Sequence, residues 1–278
     1  MKHNSMMNTK TLGKESAALF TSLASKGKLV FSITDAQKVS GKNYQATLQA
    51  LYRLSNAGWL VNLGSGKYAI VSPEAGSEAI PVVNRLVIGR ELVGDVPYYF
   101  SYDSALSLHN LITRPTPEVK ISSPRRLQTK QVLKVRYKFV YSKPENIWGT
   151  ELTWVSEGER ISVSDLERTI IDCLARPDLT GGVSEVATAL QIGANKFDWE
   201  KLVSYGKRFD NQAVMKRLGF LLELLDLTNQ SKLKNLRALI GSSYALLDPY
   251  LPEDGYYLSR WKLKINIDPD ILEKAAST

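Results

Sequence analysis

The chain has 278 residues, 44% hydrophobic and 23% charged, enough for two domains and of ordinary globular composition. One cysteine excludes an internal disulfide; with two histidines it excludes a zinc site of the usual N/S type and agrees with a reducing cytoplasm. Of the net charge of +8, +7 falls in the first 72 residues, where eight Lys and one Arg meet one Glu and one Asp, so a basic end precedes a near-neutral body. That imbalance points to a segment that meets a polyanion. No apolar run approaches the roughly 20 residues that span a membrane, and the polar start MKHNSMMNTK has no apolar signal region. The expectation is a cytoplasmic protein without a membrane partner.

In chain order, Leu12, Leu19 and Leu23 recur at helical spacing and predict a helix from Leu12 to Lys26, ended by Lys26-Gly27-Lys28. A short extended piece, Leu29 to Ile33, follows. Thr34-Asp35-Ala36-Gln37 has the form of a capping box and predicts a helix to Ser40. Tyr44 to Ala57 predicts a third helix, with Leu48, Leu51 and Leu54 as its apolar stripe. Trp59 to Leu63 and Lys67 to Val71 predict a hairpin across Gly64-Ser65-Gly66. This order is that of a winged helix-turn-helix, in which the third helix enters the major groove and the hairpin is the wing. Ser72 to Pro81 reads as a linker, which gives domains 1–75 and 76–278.

Beyond the linker the pattern at Val82 to Gly89 fits a strand or a helix start. Asp103 to Leu111 predicts a helix. Glu118 to Ser122, Val132 to Tyr141, Leu152 to Ser156 and Arg160 to Val163 predict strands. A second capping box, Ser164 to Glu167, opens a helix that Arg176-Pro177 ends. Helices are then expected at Gly182 to Leu190, Trp199 to Lys207, Asn211 to Leu225 and Leu233 to Ile240, and the alternation of Tyr256 to Ile267 predicts a closing strand. The expected class is α+β: a winged helix-turn-helix, then a larger mixed domain with an antiparallel sheet and C-terminal helices.

Lys42, Asn43, Tyr44, Gln45, Thr47 and Gln49 gather at the start and outer face of the third helix. Asn and Gln pair bidentately with adenine, and Lys reaches guanine or phosphate. Ser65 and Lys67 fall at the wing tip, in reach of phosphate. A fold of this kind also serves protein contact, with solvated lysines. Arg53 is expected on the core side of its helix. Lys134, Arg136 and Lys138 alternate on one strand, with Arg125 and Arg126 nearby. That cluster is either a solvated sheet face or a surface for nucleic acid or an acidic partner.

Asp95 or Asp103 with Glu118-Val119-Lys120 loosely echoes the D…(D/E)-x-K pattern of metal-dependent nucleases, where carboxylates hold Mg²⁺ and a lysine orients water. An alternating strand produces E-x-K without chemistry. Cys173 reads as a packed core thiol, and His109 as a hydrogen-bonded structural histidine. The chain has no P-loop, dinucleotide fingerprint or serine-hydrolase elbow. No catalytic residue, cofactor or metal is assigned.

The segments YYFSYDSALSLHNL (Tyr98 to Leu111), ENIWG (Glu145 to Gly149), VSDLERTIIDCLARPDLTGGVSEV (Val163 to Val186), RLGFLLELL (Arg217 to Leu225) and SRWKLKIN (Ser259 to Asn266) together resemble the AbiEi-type antitoxins of bacterial abortive-infection toxin–antitoxin systems. The resemblance runs in the same order over nearly the whole chain. It implies that the first domain binds inverted repeats upstream of its own operon as an autorepressor. It implies that the second domain opposes a cognate AbiEii-type nucleotidyltransferase toxin, a functional and not necessarily a physical partner. It supplies no catalytic residue. Asp165, Glu167, Arg168 and Asp172 therefore have a structural reading: Glu167 as capping-box acid and Arg168 paired with Asp172 at i, i+4. The alternatives are a nuclease-like protein with a DNA-binding winged helix, and a transcriptional regulator without a toxin partner.

Overall fold

A computed structural model describes residues 13–25, 29–71, 82–112 and 116–277. The expected linker at Ser72 to Pro81 and the helix stop at Lys26 to Lys28 lie outside the described residues. In chain order the elements are α1 (Lys14–Ser25), β1 (Val30–Ser32), α2 (Ile33–Ser40), α3 (Tyr44–Asn56), β2 (Leu60–Gly64), β3 (Lys67–Ile70) and α4 (Arg85–Val93). Then come β4 (Tyr99–Phe100), α5 (Asp103–Leu108), β5 (Glu118–Ser123), β6 (Lys130–Val132), β7 (Val135–Tyr141), β8 (Thr150–Ser156) and β9 (Glu159–Ser164). The chain continues through α6 (Leu166–Ala175), α7 (Val183–Gly193), α8 (Trp199–Phe209), α9 (Gln212–Leu224), α10 (Gln230–Arg237), β10 (Ala245–Leu246), β11 (Tyr256–Leu258), β12 (Leu263–Ile265) and α11 (Pro269–Ala276). The class is α+β. Among the described residues the strands form three sheets, ordered β1-β3-β2, β6-β7-β5-β4-β9-β8 and β10-β12-β11.

Two compact units divide the chain. The first takes Met1–Val96, Thr129–Tyr137 and Trp154–Ile161; the second takes Pro97–Gln128, Lys138–Thr153 and Ser162–Thr278. The first unit thus runs past the 75/76 division read from the sequence. Within it, Tyr137 donates its hydroxyl to the Arg85 carbonyl at 3.0 Å, Asn84 donates to the Val155 carbonyl at 3.2 Å, and Arg90 pairs with Glu159 at 2.8 Å.

In the first unit, β3 pairs antiparallel with β1 (Phe31↔Tyr68) and with β2 (Leu60↔Ile70). Leu19, Leu23, Phe31, Leu51, Leu54, Leu60 and Ile70 close the core. The capping box of α2 lies two residues earlier than expected. Ser32 remains extended and accepts from the Asp35 N–H at 3.1 Å, while the Asp35 carboxylate accepts from the Ser32 N–H at 3.0 Å. Gly41, at φ 66, ends the helix in a conformation that suits glycine. The buried stripe of α3 is Thr47, Ala50, Leu51 and Leu54. Leu48 is half-buried, because the core sits one step around the helix from the phase that the leucines suggest. The undecided segment after Val82 becomes α4, capped by Asn84.

The second unit is built around α6, in which Glu167 to Leu174 are all buried. Ile170, Leu174, Val186, Leu190, Leu202, Leu218 and Leu221 share one core. Strand β4 pairs antiparallel with β5 (Phe100↔Ile121) and parallel with β9 (Phe100↔Val163). The sheet is therefore mixed, where an antiparallel one was expected. A parallel neighbour needs a crossover, and side-chain alternation carries no information on strand direction. The expected closing strand Tyr256 to Ile267 is two strands, β11 and β12, paired as Tyr257↔Lys264. The turn between them has Lys262 at φ 52 and buries Trp261 completely. The indole lies against Gly219 of α9, where a Cβ would collide with it. The expected capping box at Ser164 also shifts: Asp165 is the N-cap of α6, accepting from the Arg168 N–H at 2.9 Å.

Candidate nucleic-acid interface

Helix α3 starts with Asn43 as N-cap, its side-chain oxygen accepting from the Ala46 N–H at 2.9 Å. The helix sequence YQATLQALYRLSN contains no carboxylate. Lys42, Asn43, Tyr44, Gln45 and Gln49 are exposed, as expected. Tyr52, 65% exposed, and Arg53 join them. Gln49, Tyr52 and Arg53 line a groove with Leu48, Asn62 and Tyr68, about 520 Å³ in volume. The exposed face thus carries two side-chain amides, one guanidinium and a lysine at the helix start.

Four of the expected assignments are corrected. Thr47 is 0% exposed; its hydroxyl donates to the Asn43 carbonyl at 3.0 Å, and the helix phase turns it into the core. Asn43 has its acceptor committed to the cap, which leaves its amide N–H₂ as the group that faces a ligand. Lys67 is half-buried, and its ammonium lies 2.7 Å from the Glu91 carboxylate, a pairing that brings in α4 and that local sequence cannot reveal. Arg53, expected on the core side, is exposed. It follows Gln45 and Gln49 at i+8 and i+4 on the outward face, and that spacing was the signal for it. Ser65 is exposed in the turn of the β2–β3 hairpin, at φ 52.

In the second basic set, Arg125, Arg126, Lys134 and Arg136 are exposed and Lys138 is half-buried. Lys134 lies in the turn before β7 and does not extend the strand face; β6 and β7 form a hairpin here (Val132↔Val135). Arg126 stacks over the ring of Tyr141 at 4.5 Å.

The nuclease-like trio does meet in space. The Lys120 ammonium lies 2.5 Å from Asp103 and 3.1 Å from Glu118, with the Lys120 and Asp103 side chains both 8% exposed. The lysine thus sits between the two carboxylates and takes the place that a metal would need. Burial raises the Asp103 pKa, with Lys120 opposing. Asp95 is exposed elsewhere on the chain, in the first unit. Among the described residues no group of three His, Cys, Asp or Glu side chains is placed to hold a metal ion.

The polar residues of α6 are committed internally. Arg168, 1% exposed, donates to Asp172 at 2.9 Å, to the Trp148 and Asn146 carbonyls at 3.0 Å each, and to the Tyr99 hydroxyl at 3.1 Å. Its guanidinium also lies 4.0 Å from the centre of the Trp148 ring. Glu167 is not a capping-box acid. It accepts from the Asp198 N–H at 2.9 Å and pairs with Lys201 at 2.6 Å, and Lys201 also reaches Asp165 at 3.3 Å. Burial raises the pKa of the Asp172 carboxyl, with Arg168 opposing, and raises that of the Cys173 thiol well above its ordinary value; Cys173 is a packed core thiol. His109 is fixed by the Ser164 carbonyl, 2.7 Å from Nε2.

No family model and no curated protein matches the chain. Among solved structures, the chain is similar to the Rv2827c protein from Mycobacterium tuberculosis: TM-score 0.74 and 14% identity, covering 96% of both chains. At that identity the likeness shows a shared fold, which extends over both units.

Proposed function

We propose that the chain is a bacterial DNA-binding autorepressor and antitoxin of a type IV, abortive-infection toxin–antitoxin system. The observation that carries the DNA-binding part is the outward face of α3, where Gln45, Gln49, Tyr52 and Arg53 stand exposed on a helix without a carboxylate. The order α1-β1-α2-α3-β2-β3, with β2 and β3 antiparallel, supports a winged helix-turn-helix. In this reading α3 enters the major groove, Gln45 and Gln49 read base edges, and Lys42, Arg53 and the Ser65 turn meet phosphates. An operator of inverted repeats takes two copies of the chain. The antitoxin part is supported by the resemblance of the second unit's segments, above all the α6 region, to AbiEi-type antitoxins. Its functional partner is a nucleotidyltransferase toxin, its mode of action is binding without catalysis, and its compartment is the cytoplasm. Among the described residues no helix is long and apolar enough to cross a membrane.

The test is a gel-shift titration of the full chain on the duplex upstream of its own gene. Gln45→Ala with Gln49→Ala should cost about 1–3 kcal/mol of operator affinity per lost base contact. Lys42→Ala with Arg53→Ala should flatten the salt slope by up to ~2 units. Unchanged operator binding in both variants would remove the interface from α3. In a toxin co-expression assay the wild-type chain should rescue growth; specific operator binding without rescue would leave a regulator with no toxin partner.

A further inference from the structure

The small sheet of the second unit has one covered and one open face. Leu263 and Ile265 of β12 are buried in the core, and Lys264 between them points the other way. Across the pairing Tyr257↔Lys264, Tyr257 lies on that same open face and is 62% exposed. Tyr244, just before β10, packs edge-on against Tyr257 with ring centroids 4.9 Å apart. Lys264 stands 5.5 Å from the Tyr257 centroid, and Lys262 stands 5.5 Å from that of Tyr244. Two exposed rings thus alternate with two ammonium groups over one sheet face. The neighbouring cation Arg260 is held at 3.0 Å by Glu223, which also binds Arg237 and the Trp261 indole. Of the carboxylates near in sequence, Asp248 is buried and accepts from the Val183 and Tyr250 N–H groups, Asp268 caps α11, and Glu253 and Asp254 precede β11 at the end away from Lys262 and Tyr244.

We propose that this face, formed by Tyr244, Tyr257, Lys262 and Lys264, binds single-stranded nucleic acid. A base has a flat aromatic face that stacks on tyrosine, and its phosphate spacing suits cations placed between rings. Exposed cation–π contacts are weak, so each lysine can exchange its ring for a phosphate when a base arrives. The rings face solvent although the tyrosine hydroxyls have polar options; Tyr244 donates to Ser259 at 3.2 Å. An acidic protein would use the lysines but gain nothing specific from the rings. The platform belongs to the second unit and α3 to the first, so, resting on the proposed duplex reading by α3, the chain would hold two nucleic-acid surfaces of different specificity.

The experiment uses the full chain and fluorescein-labelled 12-nucleotide oligouridylate and oligodeoxythymidylate, with anisotropy as the readout. The Lys42→Ala, Arg53→Ala background is measured alongside to remove any contribution of α3. Tyr244→Ala with Tyr257→Ala should weaken binding about tenfold or more, and the corresponding Phe pair should stay within about twofold of wild type. Lys262→Ala with Lys264→Ala should lower the salt slope by about 1.4 units. Binding of either strand that responds in this way upholds the proposal, and the tighter strand identifies the natural one. No binding by the wild-type chain at low salt, equal losses in the Ala and Phe pairs, or displacement by polyglutamate of the same length as readily as by oligonucleotide would each overturn it. Thermal melts confirm that these surface variants are folded; a parallel loss of duplex binding in the tyrosine variants would also overturn it.

Discussion

Helix α3 turns Gln45, Gln49, Tyr52 and Arg53 to solvent, whereas helix α6 buries Glu167, Arg168 and Asp172 among partners of their own unit. Both helices have polar residues at regular spacing, so periodicity alone does not separate them. The difference lies in what surrounds each helix. Helix α3 packs one stripe against a small core and leaves the rest open. Helix α6 is enclosed, so each of its polar groups must find an internal partner or destabilise the fold. A sequence-distinctive segment such as Asp165 to Asp178 can therefore specify scaffold, while an unremarkable Gln-Arg face is the part that a ligand can reach.

The largest effect should come from breaking the α6 side. Arg168→Ala strands the Asp172 carboxylate in the core and removes the donors to the Trp148, Asn146 and Tyr99 oxygens. A loss of about 3–5 kcal/mol in urea unfolding is expected. Arg168→Lys should restore only part of it, since a single ammonium cannot reproduce the planar fork. A loss below 1 kcal/mol would mean that the burial of α6 is not what holds the unit.

A second effect is pH-dependent. Burial raises the Asp103 pKa above its ordinary value, so the folded state binds more protons than the unfolded state and this group's contribution to stability declines as pH rises from about 4 through its folded pKa. Asp103→Asn removes that titration, so its stability deficit relative to wild type should narrow over that interval. Chemical unfolding at several pH values measures the gap; a gap that widens with pH would show that Lys120 dominates and that the carboxyl is held below its ordinary value.

The smallest effect sharpens the α3 side. Lys67 is paired with Glu91 and partly exposed, so Lys67→Ala should change stability by only ~0–1 kcal/mol. Operator affinity should stay within about twofold, against about tenfold for Arg53→Ala. A tenfold loss for Lys67→Ala would show that its ammonium leaves Glu91 for phosphate when DNA is bound.

Gly219 and Trp261 illustrate why parts of the fold were out of reach of local pattern. The tryptophan fits only because α9 presents a residue without a Cβ, a fact of two segments some forty positions apart. The alternation across Tyr256 to Ile267 hides the turn that brings Trp261 inward, and it equally hides the platform of Tyr244, Tyr257, Lys262 and Lys264. In the candidate interface, the exposure of Lys42, Tyr44, Gln45 and Gln49 follows from a polar helix start and an apolar stripe that fixes the opposite face. The stripe of Leu51 and Leu54 already puts Thr47 between them on the buried face and Arg53 opposite, so helix phase corrects both assignments.

Local sequence carries the basic N-terminal segment, its helix and hairpin order, the helix-rich second half, and the i, i+4 pair of Arg168 and Asp172. These follow from short-range periodicity, caps and breakers, which act within a few residues. Tertiary packing settles the rest: Lys67 is bound to Glu91, Lys120 bridges Asp103 and Glu118, β4 runs parallel to β9, and Glu167 serves Lys201 and not its own helix cap. Each of those depends on burial and on partners distant in sequence, and burial is what turns a charged side chain from a surface contact into an obligatory pair.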